Sequence, residues 1–172
     1  FKKKFKNKYK INNKIFNIDH YREKKLSGTA AAIKKVEKKL EDYFLLLNGD
    51  TYFDINLDKF DSFHKSESLL KLSVLKKKSS KSGNIYFDKK KNKYTFIEKP
   101  KNNLSSYING GVYLINKKLI KFIKKETPSF ERDIIPKIFE KKLVEISKFS
   151  NKFIDIGTPN NLKKAKSFFS KI

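Results

Sequence analysis

The stretch Phe44–Asp54, FLLLNGDTYFD, decides how the rest of the chain is read. Four apolar residues, Phe44 to Leu47, run into the polar turn Asn48–Gly49–Asp50, and two aromatics, Tyr52 and Phe53, follow. A short unbroken apolar run bounded by a turn predicts a parallel strand covered on both faces, with Asp50 just past its carboxyl end. In open α/β sheets ligands collect outside the carboxyl ends of the strands, so an acid there is placed for chemistry. A second predicted strand, KFIDI (Lys152–Ile156), carries Asp155 into a turn at Gly157 and a helix start in the same way. Two carboxylates at neighbouring strand ends can hold Mg²⁺, which takes one or two carboxylates and completes its shell with substrate phosphates. Taken singly, each acid has a plainer reading. NGD is an ordinary turn, and an Asp near a helix start complements the helix dipole.

Outward from this stretch, strands and helices alternate. KIFNID (Lys14–Asp19) reads as a strand. SGTAAAIKKVEKKLED (Ser27–Asp42) reads as one helix with Ser27 or Thr29 as its cap and Ala32, Val36 and Leu40 on one face. Leu57–Ser66 reads as a short helix, and LLKLSVLK (Leu69–Lys76) alternates as a strand. NIYFDKKKNKYTFIEKP (Asn84–Pro100) is a hairpin of two aromatic-rich arms around a Lys/Asn turn. SYINGGVYLIN (Ser106–Asn116) is a strand interrupted by Gly110 and Gly111, which mark a bulge, and Lys117–Lys125 is a helix. Ser129–Lys142 is a helix with Pro136 near its middle or at a break between two pieces, Leu143–Phe149 is a strand, and the chain closes on a helix capped by Thr158 with Pro159 in its first turn. The pattern predicts an α/β fold, a mixed sheet flanked by helices with an inserted β-hairpin, in a single domain spanning residues 1–172.

Composition narrows the chemistry. With no Cys there are no disulfides, thiolate nucleophiles or Cys-based zinc sites, and His20 and His64 lack ligand spacing. No apolar run approaches the roughly 18 residues of a membrane span, which predicts a cytoplasmic protein without a membrane partner. The formal charge of +24 invites a nucleic-acid reading. Against it, Arg22 and Arg132 are the only arginines, and the lysines are dispersed over nearly every segment. A Lys-, Asn-, Ile- and Phe-rich chain has the character of an AT-biased genome. Specific nucleic-acid binding is therefore not expected, while the charge can still draw in polyanionic small molecules.

The ordered set LSGTAAAI, LLLNGDTYFD, FIEKP, INGGVYLIN, SFERDIIPKIFE and FIDIGTPNNLKKA resembles the sugar-phosphate nucleotidyltransferases, from Ser27 to Ala165. Within that family it is most similar to the guanylyltransferases acting on D-glycero-α-D-manno-heptose 1-phosphate, with mannose 1-phosphate guanylyltransferases close by. The resemblance implies a Rossmann-like, GT-A-like fold. It implies transfer of a nucleotidyl group from a nucleoside triphosphate to a sugar 1-phosphate, for cell-surface polysaccharide synthesis, with Mg²⁺ as cofactor. By the same resemblance Asp50 and Asp155 are metal ligands and catalytic, and Lys99 of EKP is a catalytic contact to the sugar phosphate. Glu98 reads sugar hydroxyls, Gly28 and Thr29 line the base pocket, Gly49 is a further substrate-binding residue, and Asn109 and Gly110 border the sugar. Read without the resemblance, Glu98 and Lys99 are an exposed strand end, Glu131 and Arg132 an exposed helical pair, and Tyr52, Tyr107 and Tyr113 packing residues; family position implies a substrate-side role for the Glu131–Arg132 segment.

One family element is not found between Phe1 and Ile172. The family opens with a strand and a loop of the form G-G-x-G-T-R-L, whereas this chain opens FKKKFKNKYK, which resembles the family's helix ahead of the strand leading to GTA. The expectation is a domain lacking its N-terminal βα unit and, as this polypeptide alone, having little or no transferase activity. A non-catalytic remnant and a basic nucleic-acid-binding module are the other functions left open, as is a homo-oligomer.

Overall fold

The computed structural model describes residues 7–23, 25–76, 83–88, 92–98 and 107–170. In chain order the elements are β1 (Lys8–Ile11), β2 (Lys14–Asn17), α1 (Thr29–Lys35), β3 (Tyr43–Leu47), β4 (Thr51–Phe53), β5 (Leu70–Leu75), β6 (Asn84–Asp88), β7 (Lys93–Ile97), β8 (Tyr107–Asn116), α2 (Ile135–Glu140), β9 (Val144–Phe149), β10 (Phe153–Asp155) and α3 (Pro159–Phe169). No helix among the described residues is long and apolar enough to cross a membrane.

Strand β8 organises the sheet, because alternate side chains point to opposite faces and both faces of β8 are apolar. Tyr113 and Ile115 enter a core with Leu70, Leu72 and Val74 of β5, while Ile108, Val112 and Leu114 enter a second core with Phe53 and Phe60. The strand order is β7-β6-β8-β5-β9, with β3 also paired to β8. One edge of β8 meets β5; its other edge is shared, by β6 at Tyr107 and Ile108 and by β3 at Val112 to Asn116. The Gly pair lies at this junction. Across from it Leu72 faces Tyr113 and Val74 faces Asn109, so Gly110, Gly111 and Val112 oppose Ser73 alone in the expected bulge. Gly111 takes the left-handed backbone (φ 71) that this requires. Ser73 Oγ accepts the displaced Val112 N–H at 3.2 Å.

Several expectations need correction. The FLLL strand β3 is not parallel and not covered on both faces: it runs antiparallel to β8, with Tyr43 and Leu47 exposed. Apolar continuity fixes neither direction nor neighbour, and the two-sided burial belongs to β8. The parallel pair among the described residues is β5–β9. Lys8–Ile11, expected in a helix, pairs with β2 in a hairpin instead. The Ser27–Asp42 helix stops at Lys35, where β-branched Val36 closes a tighter i→i−3 bond to Ile33 O and a 3₁₀ turn (Glu37–Lys39) follows. Lys117–Phe122 is likewise 3₁₀, started by Asn116 Oδ1 accepting the Lys118 N–H at 3.0 Å.

Leu57–Ser66 forms turns, not a helix. It is strapped to the sheet from two neighbouring strands. Glu145 accepts the N–H groups of His64 (3.0 Å) and Lys65 (2.8 Å), and Lys71, 1 % exposed, donates to Ser62 O at 2.7 Å. The Ser129–Lys142 segment takes the two-piece form that Pro136 allowed: a π-helical turn, Phe130–Ile134, and α2. Pro136 falls at the start of α2, where its missing N–H costs nothing. The hairpin β6–β7 and the Thr158 cap of α3, which accepts the Asn161 N–H at 3.3 Å, stand where expected.

Candidate active site

Asp50 and Asp155 come together, though not by the route expected. Strand β10 does not share a sheet with β3; it pairs antiparallel with β4, Asp155 opposite Thr51, and Ile156 N donates to Asp50 O at 2.8 Å. Asp50 therefore sits in the β3–β4 turn and Asp155 at the end of the strand clipped to β4. Gly157 marks the meeting point. A Cβ there would stand 3.0 Å from Asp155 Oδ1 and 3.5 Å from Asp50 Oδ2, so these oxygens are at most about 6.5 Å apart. The Gly157 N–H donates to Asp155 Oδ1 at 2.8 Å, fixing that carboxylate. Asp50 is exposed and Asp155 half-buried, so both remain open to solvent and ligand.

Two like charges this close repel unless a cation lies between them, and carboxylate oxygens are the donors Mg²⁺ prefers. Among the described residues no group of three or more His, Cys, Asp or Glu could hold an ion. The pair suits an ion whose remaining ligands are water and substrate phosphate.

A cavity of about 560 Å³ is lined by Gly28, Thr29, Glu98, Pro128, Ser129, Glu131 and Arg132. Its wall is knitted from two segments far apart in sequence. Gly28 lies at φ 94, and a Cβ on it would fall 2.4 Å from Pro128 O, so only glycine allows this approach. Pro128 O accepts the Ala30 N–H at 2.8 Å. Thr29 Oγ1 accepts the Phe130 N–H at 2.8 Å and donates to Glu131 Oε2 at 3.3 Å. Thr29 is thus no cap of its own helix, and Ser27 is not one either: Ser27 donates to Glu23 Oε1, which also takes Lys35 Nζ at 2.7 Å. The π-helical turn is set by Ser129 Oγ accepting the Arg132 N–H (3.1 Å) and Asp133 accepting the Ser129 N–H (2.8 Å), a reciprocal cap that turns Glu131 and Arg132 to the cavity.

Gly28, Thr29 and Glu98 thus share one cavity. Asn109 and Gly110 are buried and do not line it: Asn109 donates to Tyr113 Oη at 2.6 Å, and a Cβ on Gly110 would strike the Phe53 ring at 2.4 Å. Gly49 sits in an open turn with nothing within 4 Å of where a side chain would stand. Lys99 lies outside the described residues. Tyr52 packs on Phe168 and Phe169, as expected. Glu131 and Arg132 line the cavity, in keeping with the substrate-side role that the resemblance implies for their segment and not with the plainer exposed pair. Tyr113 packs against Phe130, as expected.

The model of the nucleotidyl transferase family matches residues 1–171. The chain belongs to that family. A nucleotidyl transferase relative, the D-glycero-alpha-D-manno-heptose 1-phosphate guanylyltransferase of Campylobacter jejuni, is 33% identical over 140 residues, covering 81% of this chain and 62% of its own. The mannose-1-phosphate guanyltransferase of Saccharomyces cerevisiae is 28% identical over 166 residues, covering 92% of this chain and 45% of its own. The chain therefore spans less than two thirds of the length of these relatives. The crystal structure of HddC from Yersinia pseudotuberculosis superposes with a TM-score of 0.67 at 29% identity, over 86% of this chain and 64% of that one, and a second structure of HddC is complexed with GMP-PN (TM-score 0.66). The mixed α/β fold expected from the sequence is thus that of known nucleotidyl transferases.

Proposed function

We propose that this nucleotidyl transferase joins a sugar 1-phosphate to a nucleoside triphosphate, giving a nucleotide sugar and pyrophosphate, with GTP and D-glycero-α-D-manno-heptose 1-phosphate as the pair to test first. The observation that carries the reading is the convergence of Asp50 and Asp155 at Gly157, in a chain that also builds a polar cavity from Gly28, Thr29, Glu98 and Glu131. A phosphate oxygen of the sugar 1-phosphate attacks the α-phosphorus. A new P–O bond forms, the bond to the bridging oxygen breaks, and pyrophosphate leaves with the electron pair. The attacking phosphate has a second pKa near 6 and is largely dianionic at neutral pH, so no general base is required. The obstacle is repulsion between polyanions, and catalysis rests on positioning and charge neutralisation.

Asp50 and Asp155 would hold Mg²⁺, which when bound neutralises phosphate charge and orients the reacting groups. Glu98 and Glu131 accept hydroxyl hydrogens of the sugar, as suits a pocket with two carboxylates. Gly28 lets the nucleotide approach the backbone, and Lys99 contributes a cation to the sugar phosphate. A cytoplasmic setting follows from consumption of a nucleoside triphosphate. Titration calorimetry with GTP, heptose 1-phosphate and mannose 1-phosphate in Mg²⁺, alongside pyrophosphate release, tests the reading. Micromolar binding of one sugar 1-phosphate supports it, and no binding of either sugar phosphate or GTP overturns it.

A further inference from the structure

Tyr113 carries a polar group into the core, between Phe130 and Asn109. The residue is 0 % exposed, and its ring packs edge-on against Phe130 at 5.4 Å and 81°. Phe would fill that space equally well, and a buried hydroxyl is costly unless bonded. Here the phenol oxygen receives Asn109 Nδ2 at 2.6 Å. A phenol hydroxyl can accept that bond and still donate its own hydrogen. Burial first, then the negative charge of Glu131 and of Glu98, push the phenol far above its ordinary range. The hydroxyl stays a neutral donor at any pH the fold meets.

The bonds around it run on to the acid turn. Asn109 Oδ1 accepts the Gly111 N–H at 3.0 Å, and Gly111 O accepts the Asn48 N–H at 2.9 Å. Asn48 stands two residues before Asp50, and the Asn48 side chain lies 3.1 Å from where a Gly111 Cβ would be. Resting on the proposed function, we infer that Tyr113 is a positioning residue: through Asn109 and Gly111 it holds the Asp50 turn, and through Phe130 the Glu131 wall of the cavity, so that one sugar 1-phosphate meets both.

The test is Tyr113→Phe, with Ile120→Val as a buried control remote from the site. Mannose 1-phosphate is titrated in the presence of Mg²⁺, and melting is followed by circular dichroism. The expected result is at least a tenfold loss of affinity in Tyr113→Phe, with affinity kept in Ile120→Val at a comparable loss of melting temperature. Affinity of Tyr113→Phe within twofold of the wild type, or an equal loss in the control, overturns the inference and leaves the proposed function standing. A wild-type protein that binds no sugar 1-phosphate overturns both. Should Tyr113→Phe not fold, the side-chain amide NMR signal of Asn109 and the backbone amide signal of Asn48 in the wild type decide: both shift on saturation with mannose 1-phosphate, and either one staying in place overturns the inference.

Discussion

Replacing Gly157 with Ala separates the ion site from the fold. Gly157 is exposed and does not adopt a positive φ, so alanine fits its backbone without strain. The narrower unfolded ensemble favours the substitution by about 0.4–1 kcal/mol, against which stands a shift of a few tenths of an ångström in Asp155 Oδ1, so stability should stay within about 1 kcal/mol of the wild type. The new methyl, however, stands 3.0 Å from Asp155 Oδ1 and 3.5 Å from Asp50 Oδ2. An ion bound at about 2.0–2.1 Å from those oxygens needs near-ideal octahedral geometry. Either one of its waters is displaced by the methyl, or Asp155 Oδ1 retreats by a few tenths of an ångström. Loss of about tenfold in affinity, equivalent to about 1.4 kcal/mol, is expected. The assay is titration of Mn²⁺, a spectroscopic substitute for Mg²⁺, into protein with a nonhydrolysable GTP analogue, following free Mn²⁺ by electron paramagnetic resonance. A Gly157→Ala protein that melts normally and binds Mn²⁺ within twofold of the wild type would refute the placement of an ion between the two acids.

Asp155→Asn relieves repulsion in the same pair, so its melting temperature should stay within about 3 °C of the wild type while Mn²⁺ affinity and any turnover fall at least tenfold; full activity would make the convergence incidental. Gly28→Ala should lose about 3 kcal/mol, from positive-φ strain and collision with Pro128, lowering the melting temperature by about 6–12 °C in a scanning calorimeter. For Glu145, burial works to raise the carboxyl, but the N–H groups of His64 and Lys65 overcome it and hold it below the ordinary 4.5. Its folded pKa is the lower one, so its stabilisation is present above about pH 4.5 and is lost as pH falls through the folded value. Urea midpoints measured through that window should fall less steeply in Glu145→Gln than in the wild type.

The alternation of strand and helix, the hairpin, the bulge and the two acids were legible because each is a local signal: turn residues, period-two apolarity, a Gly pair. Strand direction was not, because FLLL is equally apolar in either orientation, and what decides is the free edge of β8. Helix lengths were overestimated where Val36 and Asn116 favour tighter turns. The Ser129–Asp133 cap was readable as a motif, but its consequence depends on Thr29 arriving from a hundred residues away to hold Phe130 and Glu131. Tyr113 was legible only as packing, since the route from its partner Asn109 through Gly111 to Asn48 exists only once β3 pairs with β8.

The clip between β4 and β10 gives the two acids an unusual dependence on counting. Their proximity follows from a three-residue register, Phe53–Phe153, Tyr52–Ile154 and Thr51–Asp155, held by the edge-on contact of Phe53 with Phe153 at 5.5 Å and 88°. A slip of one residue would turn Asp155 to the opposite face, because side chains alternate along a strand. Indels within Thr51–Phe53 or Phe153–Asp155 should therefore abolish ion binding outright, whereas those in the loop between Ile55 and Leu69 shift nothing in that count. Chains sharing this fold can vary freely in loop length, yet the two short ladders must stay in step for the acids to meet.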